Sequence, residues 1–207
     1  MPKLKESHKL ERVEFAETHS TMDWSQVVFS DECVVSSAPG KKASGCESIA
    51  VWASLTVDGP QDIVKVVGKL TAQQYIYQIL SPNVTPFFNK PANADMIFQH
   101  DNSPVHTALH VQTYLRENNI RSLKWPSCSP DLNPIEEYWE LLKCELGEIQ
   151  LPVGSADVKQ AFLWNLVKLK WNDLKEGKGP DIISNYYKHM HQRIAAVAVA
   201  KGETPTY

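Results

Sequence analysis

Short apolar runs with a β-branched bias alternate along the chain with stretches whose apolar residues recur at helical spacing, and the two patterns predict strands and helices in turn. Residues 3–19 place Leu10, Val13 and Phe15 among alternating charges, which predicts a short surface helix. Trp24-Ser25-Gln26-Val27-Val28-Phe29-Ser30-Asp31-Glu32 carries three consecutive apolar residues and predicts a strand buried on both faces, with Asp31 at its end. The small, turn-rich residues 36–48 read as a loop. Ile49 to Val57 reads as a second strand, closed by the turn signal Asp58-Gly59-Pro60, with Ile63 to Val67 as its hairpin partner. Thr71 opens a helix with Gln74 at its third position and Tyr75, Ile76, Ile79 and Leu80 inward. After a Pro/Asn-rich connection, Met96-Ile97-Phe98-Gln99-His100-Asp101 is again an apolar run ending in an aspartate. His106 to Asn118 predicts a helix facing inward through Leu109, Val111, Tyr114 and Leu115, and Ile120 to Trp125 a short strand.

The next helix is the most fully specified. Asn133 is a good N-cap, Pro134 suits the first helical position, and Glu136 stands third, where a capping carboxylate belongs. At 100° per residue from Ile135, the side chains of Tyr138, Trp139, Leu142, Leu146 and Ile149 fall in a stripe from about −60° to about +40°. Glu136 lies beside that stripe at about 100°, and Glu137 points away from it at about 200°. Glu136 is thus either a capping residue or an acid aimed along a buried edge. Downstream, Ser155 caps a helix to about Lys170, and Asp181 to Ala200 forms a last one with Ile182, Ile183, Tyr186, Met190, Ile194 and Val197 inward. The order predicts an α/β protein: a mixed sheet flanked by helices, with a C-terminal helical extension. Its divisions are an N-terminal helix and linker at 1–22, a catalytic-type domain at 23–150 and the extension at 151–207.

Composition narrows this only in part. The 207 residues, 43% hydrophobic with six tryptophans, suffice for one full core. No apolar run approaches a membrane span and the charged start lacks a signal-peptide core, so the expectation is a soluble, intracellular protein. Cys33, Cys46, Cys128 and Cys144 lack metal-site spacing and read as free thiols. Net charge is −3, yet residues 71–150 hold five Lys/Arg against nine Asp/Glu while residues 157–201 hold eight against four. Such a gradient suits a cation-binding centre with a phosphate-facing flank, and equally suits ordinary solvated helix faces.

Two strands that each deliver an aspartate, and a helix start that delivers a glutamate, make a candidate site. In open α/β sheets sites form beyond the carboxyl ends of strands, where Asp31 and Asp101 would lie if their strands ran side by side. Converging carboxylates repel one another unless a cation neutralises them. Hard oxygen donors select Mg²⁺ or Mn²⁺. Two such ions about 3.5–4 Å apart can activate a nucleophile and stabilise the leaving oxygen of a phosphodiester.

The segments Phe29-Ser30-Asp31-Glu32, Phe98-Gln99-His100-Asp101-Asn102-Ser103-Pro104-Val105-His106-Thr107-Ala108 and Ser129-Pro130-Asp131-Leu132-Asn133-Pro134-Ile135-Glu136-Glu137-Tyr138-Trp139 resemble the three acidic motifs of mariner-superfamily (DDE) transposases. The 34 residues between Asp101 and Glu136 match the glutamate-ending branch. The resemblance implies a ribonuclease-H-like fold, a two-metal site made by Asp31, Asp101 and Glu136, and cut-and-paste DNA transposition. It also implies DNA as partner, a homodimer being left open, with no small-molecule cofactor and a nuclear location. Asn102, His106 and Asn133 are candidate DNA-contact or supporting residues; Asn102 and His106 read equally as turn and helix-start residues.

Two departures from the family bear on activity. Family members carry N-terminal helix-turn-helix modules, which nothing before Met1 supplies, and the interval from Asp31 to Ser48 is shorter than in relatives. A strand lost there would expose an edge beside Asp31 and loosen it. The alternative is therefore a decayed or host-adopted, transposase-derived scaffold that binds DNA or protein; a ribonuclease-H-like nuclease of RNA–DNA hybrids fits the third motif less well.

Overall fold

The structure is a computed structural model. It describes residues 4–37 and 47–205. Helix α1 (Glu6–Thr18) precedes strand β1 (Val27–Ser36), which is followed by β2 (Ser48–Thr56), β3 (Gly59–Pro60) and β4 (Val64–Val66). A helical stretch comprises α2 (Ala72–Tyr75), a π-helical segment (Ile76–Val84) and α3 (Thr85–Phe88). Then come β5 (Ile97–Gln99), α4 (Leu109–Glu117), α5 (Pro134–Leu146), α6 (Ala156–Glu176) and α7 (Gly179–Val199).

The sheet runs β3-β2-β1-β5 with β4 also on β2; β1 and β2 are antiparallel and β1 and β5 parallel. The period of two along each strand sorts side chains between two cores. Val27, Phe29 and Val35, with Ile49, Val51, Ala53 and Leu55, pack against α1, α5, α6 and α7. Val28, Trp52 and Phe98 face the other way, onto Tyr75, Ile79, Leu80, Val111 and Leu115. The expected mixed sheet flanked by helices is what forms, and α7 is pinned to it where the Tyr187 hydroxyl donates to Val27 O (2.8 Å) and Leu55 O (3.1 Å).

Several expectations are corrected. The first strand does not stop at Glu32. It continues to Ser36 because β2 offers a partner to every residue from Phe29 to Ser36, so Asp31 sits within the strand. For the same reason no edge is bared on the β2 side of β1. The rest of the interval read as a loop, residues 38–46 with Cys46, lies outside the described residues. Cys33, Cys128 and Cys144 are free thiols.

The helix capped by Thr71 passes through Pro82 rather than ending before it. The wider π-helical turn accommodates the proline, and Asn83 Nδ2 donates to the carbonyls of Gln78 (3.2 Å) and Ile79 (3.3 Å). The predicted strand at 120–125 is reduced to one parallel bridge between Phe98 and Ser122, because three-residue β5 offers ladder bonds only there. The helix expected from His106 starts at Leu109, the residues before it being held in a turn by Ser103 O. Leu109 is exposed rather than inward, since it lies on the face of α4 opposite Val111 and Leu115; Leu10 and Ile182 are likewise exposed.

Candidate active site

The parallel register Val27↔Ile97, Val28↔Phe98, Phe29↔Gln99, continued one for one, sets residue 31 opposite residue 101. Gln99 locks the end of this ladder: its Oε1 accepts from Ser30 N (3.1 Å) and its carbonyl from Ser30 Oγ (2.8 Å). Two residues beyond the end of β5, Asp101 sits in a turn, its Oδ1 accepting from Ser103 N (2.9 Å) and from His106 Nδ1 (2.7 Å). Strand parity puts Asp31 on the same face as Phe29, towards α5, and Glu32 on the face of His106.

Glu136 arrives from the start of α5, which is held twice over by one buried residue. Asn133 Oδ1 accepts from Ile135 N (3.3 Å), capping the helix, and Asn133 Nδ2 donates to Ser30 O (3.3 Å), the residue before Asp31. Asn102 Nδ2 donates to Trp125 O (2.7 Å), tying the turn after Asp101 to the loop leading into α5. Glu136 is half-buried, whereas Glu137 is exposed and pairs with Arg193 (2.7 Å), as the helical facing predicts.

A cleft of about 420 Å³ is lined by Asp31, Asp101, Asn102, Asn133 and Glu136, with Trp125 and His8 at its margins. Inside it burial pushes Asp31 up to about 8, helped by the neighbouring charges of Glu32, Glu136 and Asp101. Burial also raises Glu136, while Lys143 and a hydrogen bond with Asp31 draw it partly back. Asp101 goes the other way: burial would raise it, but its bonds from His106 and Ser103 win and lower it. His106, buried, stacked on His100 and tilted against Tyr75, is lowered by burial and then carried up to about 9 by Asp101 and Glu32. Its Nε2 lies 3.3 Å from Glu32 Oε1 without hydrogen-bond geometry, so both atoms are left without a hydrogen-bond partner.

The donor chemistry fits a hard divalent cation. The charges acting on Asp31 are those of other carboxylates, which is the arrangement an oxygen-seeking cation relieves. Among the described residues, however, no three acidic, His or Cys side chains are already drawn around one ion-sized point. Asp31 Oδ1 instead accepts from Glu32 N (2.7 Å), and Asp101 is turned to His106. Closing the acids on an ion takes side-chain rotation within the cleft.

Sequence reading brought out the three acids and their helpers but gave no role to Glu32, the neighbour of Asp31 in the strand. It also missed Arg12 of α1, fully buried and paired with Asp131 (2.7 Å). The only signal was Arg12's place one residue before Val13 on a helix with a weak apolar stripe.

A mixed sheet flanked by helices, with two aspartates and a glutamate lining one cleft beside it, is the ribonuclease-H-like fold. The chain belongs to the DDE superfamily endonucleases, the family matching residues 26–152. The Tc1 transposase of Caenorhabditis elegans is 27% identical over 230 residues, taking in 100% of this chain and 80% of that protein. The Tcb1 transposase of Caenorhabditis briggsae is 31% identical over 164 residues, 79% of this chain and 56% of that one. The chain therefore spans little more than half of Tcb1. Among solved structures, the Mos1 transposase catalytic domain with Raltegravir and Mg superposes with a TM-score of 0.76 at 18% identity, covering 98% of both chains. The Mos1 mariner paired end complex with Mn gives 0.76 at 17% identity, over 99% of this chain and 65% of that one. Among the described residues no helix is long and apolar enough to cross a membrane.

Proposed function

We propose that this chain is the catalytic domain of a cut-and-paste DNA transposase, with Asp31, Asp101 and Glu136 as its catalytic acids. The observation that carries the reading is the meeting of these three side chains in one cleft on a ribonuclease-H-like sheet of a DDE endonuclease. Asp31, Asp101 and Glu136 would hold two Mg²⁺ or Mn²⁺ ions, the metals with which Mos1 domains were solved. When bound, such ions supply activation of the attacking oxygen and stabilisation of the leaving one. The chain's own residues do the holding: Gln99 fixes the strand ends, Asn133 ties the helix start to β1, and His106 holds Asp101. Water is the nucleophile that frees a 3′-hydroxyl at the element end, and that hydroxyl then attacks target DNA, both in line at phosphorus.

The partners are transposon-end and target DNA, a reading supported by the Mos1 transposase paired-end complex with left transposon end; two copies of the chain act together, in the nucleus. Residues 23–150 carry the chemistry, with 1–22 and 151–207 supporting it. Nicking of pre-cleaved element ends tests this: activity dependent on Mg²⁺ or Mn²⁺ and lost in Asp101→Ala is expected. Equal behaviour of wild type and variant would end the catalytic reading. A scaffold that binds DNA or protein without cutting is the second reading, favoured by carboxylates that are bonded away from any shared ion position. Calorimetry separates the two, since saturable Mn²⁺ binding abolished by Glu136→Gln counts against a scaffold.

A further inference from the structure

The buried Arg12 is the strongest group that the proposed chemistry leaves unused. A fully buried guanidinium is costly unless every donor is met, and here every donor is directed at the loop that launches α5 or at the turn after α7. Nη1 and Nη2 grip the Asp131 carboxylate in a two-pronged bond (2.8 and 2.7 Å). Nη1 also donates to Ser129 Oγ (2.7 Å), and Nε to Gly202 O (2.8 Å). One residue earlier, Glu11 Oε2 accepts from Ser127 N (3.2 Å). Nη1 also lies 3.5 Å from Cys128 O, so α1 contacts the Ser127–Asp131 loop at four of its five residues.

Behind the arginine the chain closes tightly. Gly202 adopts φ +83°, and a Cβ there would collide with the Lys9 backbone, so glycine is required for the turn to reach the guanidinium. Lys9 completes the join with an ion pair to Glu203 (2.7 Å). From Asp131 the path to the site is short. The 3₁₀ turn Pro130–Leu132 leads directly to Asn133, which caps α5 and bonds β1 beside Asp31.

We propose that Arg12 is a positioning residue for the third acid: by holding Ser129 and Asp131 it sets the place from which α5 presents Glu136 to the cleft. This rests on reading Glu136 as the third acid. The first helix is on this view a part of the active site rather than a linker to it, and the C-terminal turn at Gly202 is its backing.

The test compares Arg12→Met, Arg12→Lys and Asp131→Asn with Leu163→Ala, a core change in α6 away from the cleft that lowers stability without touching the loop. Amide hydrogen exchange at Ile135 and Glu136 is read first. The expected result is exchange about tenfold faster at those two amides in the Arg12 and Asp131 variants, while the amides of α4, on the other face of the sheet, follow the control; a misplaced acid should then weaken Mn²⁺ binding about 10–100-fold. Arg12→Lys keeps the charge and loses the fork, so it should recover only part of the affinity. If Arg12→Met does not fold, Asp131→Asn, which preserves side-chain shape, carries the comparison. Exchange at Ile135 and Glu136 that merely tracks the control overturns the proposal. So does Mn²⁺ affinity in folded variants equal to the control's. Failure of wild type to bind Mn²⁺ would instead overturn the metal reading, and the exchange comparison would still decide the role of Arg12.

Discussion

Asp31 is a carboxyl group kept in a place where its charge is poorly solvated and where its charged neighbours are also acids. Its folded pKa, about 8, lies above the ordinary 3.8, so its contribution to stability is full at low pH and is lost as pH rises through about 8. His106 acts in the same direction over a higher window, from its ordinary 6.5 up to about 9. Metal-free protein should therefore melt at a progressively lower temperature between pH 6 and pH 9, a loss of about 2 kcal/mol after allowance for solvent screening. Differential scanning calorimetry across that range checks it, and a flat profile would contradict the picture of mutually repelling acids. Asp31→Asn removes the first of the two contributions. At pH 8 it should raise the stability of the metal-free chain by about 1–2 kcal/mol while abolishing cleavage, the pattern of a site held against the preference of its own residues.

At the scale of elements, the site depends on β1 and α5 being joined, and Asn133 is the joint. Asn133→Ala loses the cap and the bond to Ser30, and should cost about 1–2 kcal/mol with a large fall in activity. Asn133→Asp keeps an acceptor for the Ile135 amide but has no donor for Ser30 O. Urea unfolding should show it at least as destabilised as Asn133→Ala, because a buried carboxylate then faces Ser30 O among the other acids, and nicking assays should show it impaired. Equal activity would mean that the cap alone matters.

The same two elements mark what the chain discloses in advance. The start and facing of α5 were legible because caps and helical periodicity are local, as the buried Tyr138, Trp139 and Leu142 bear out. The length of β1 was not. Cys33 to Ser36 becomes strand only by pairing with Val51 to Ser48, and Arg12 becomes core only through Asp131, 119 residues away. Both depend on partners distant in the chain. Leu109 failed for a nearer reason: at 100° per residue it stands about 160° from Val111, on the face of α4 opposite the buried Val111 and Leu115.

For the molecule as a whole, the division into a catalytic region and a C-terminal extension can be tested by cutting at residue 150. Sequence order invites such a cut, yet the core argues against independent folding of the piece that remains. Trp171 and Leu163 of α6 and Tyr187, Met190 and Ile194 of α7 share one buried cluster with Phe29, Leu55, Tyr138 and Trp139. The ring of Trp171 lies against both Tyr138 (5.0 Å) and Trp139 (5.4 Å), and its Nε1 donates to Gln61 O (2.8 Å). Removing residues 151–207 would expose that face of the sheet and of α5 together. Each large buried side chain left uncovered costs about 2 kcal/mol, so a few of them match the whole stability of a domain this size. A chain ending at 150 should accordingly show no cooperative melting transition and should bind a hydrophobic dye. Supplying residues 151–207 as a separate polypeptide should restore the transition if contacts, and not covalent continuity, are what the extension provides. A truncated chain that melts cooperatively near the wild-type temperature would show instead that the two acid-bearing strands and α5 form a self-sufficient unit.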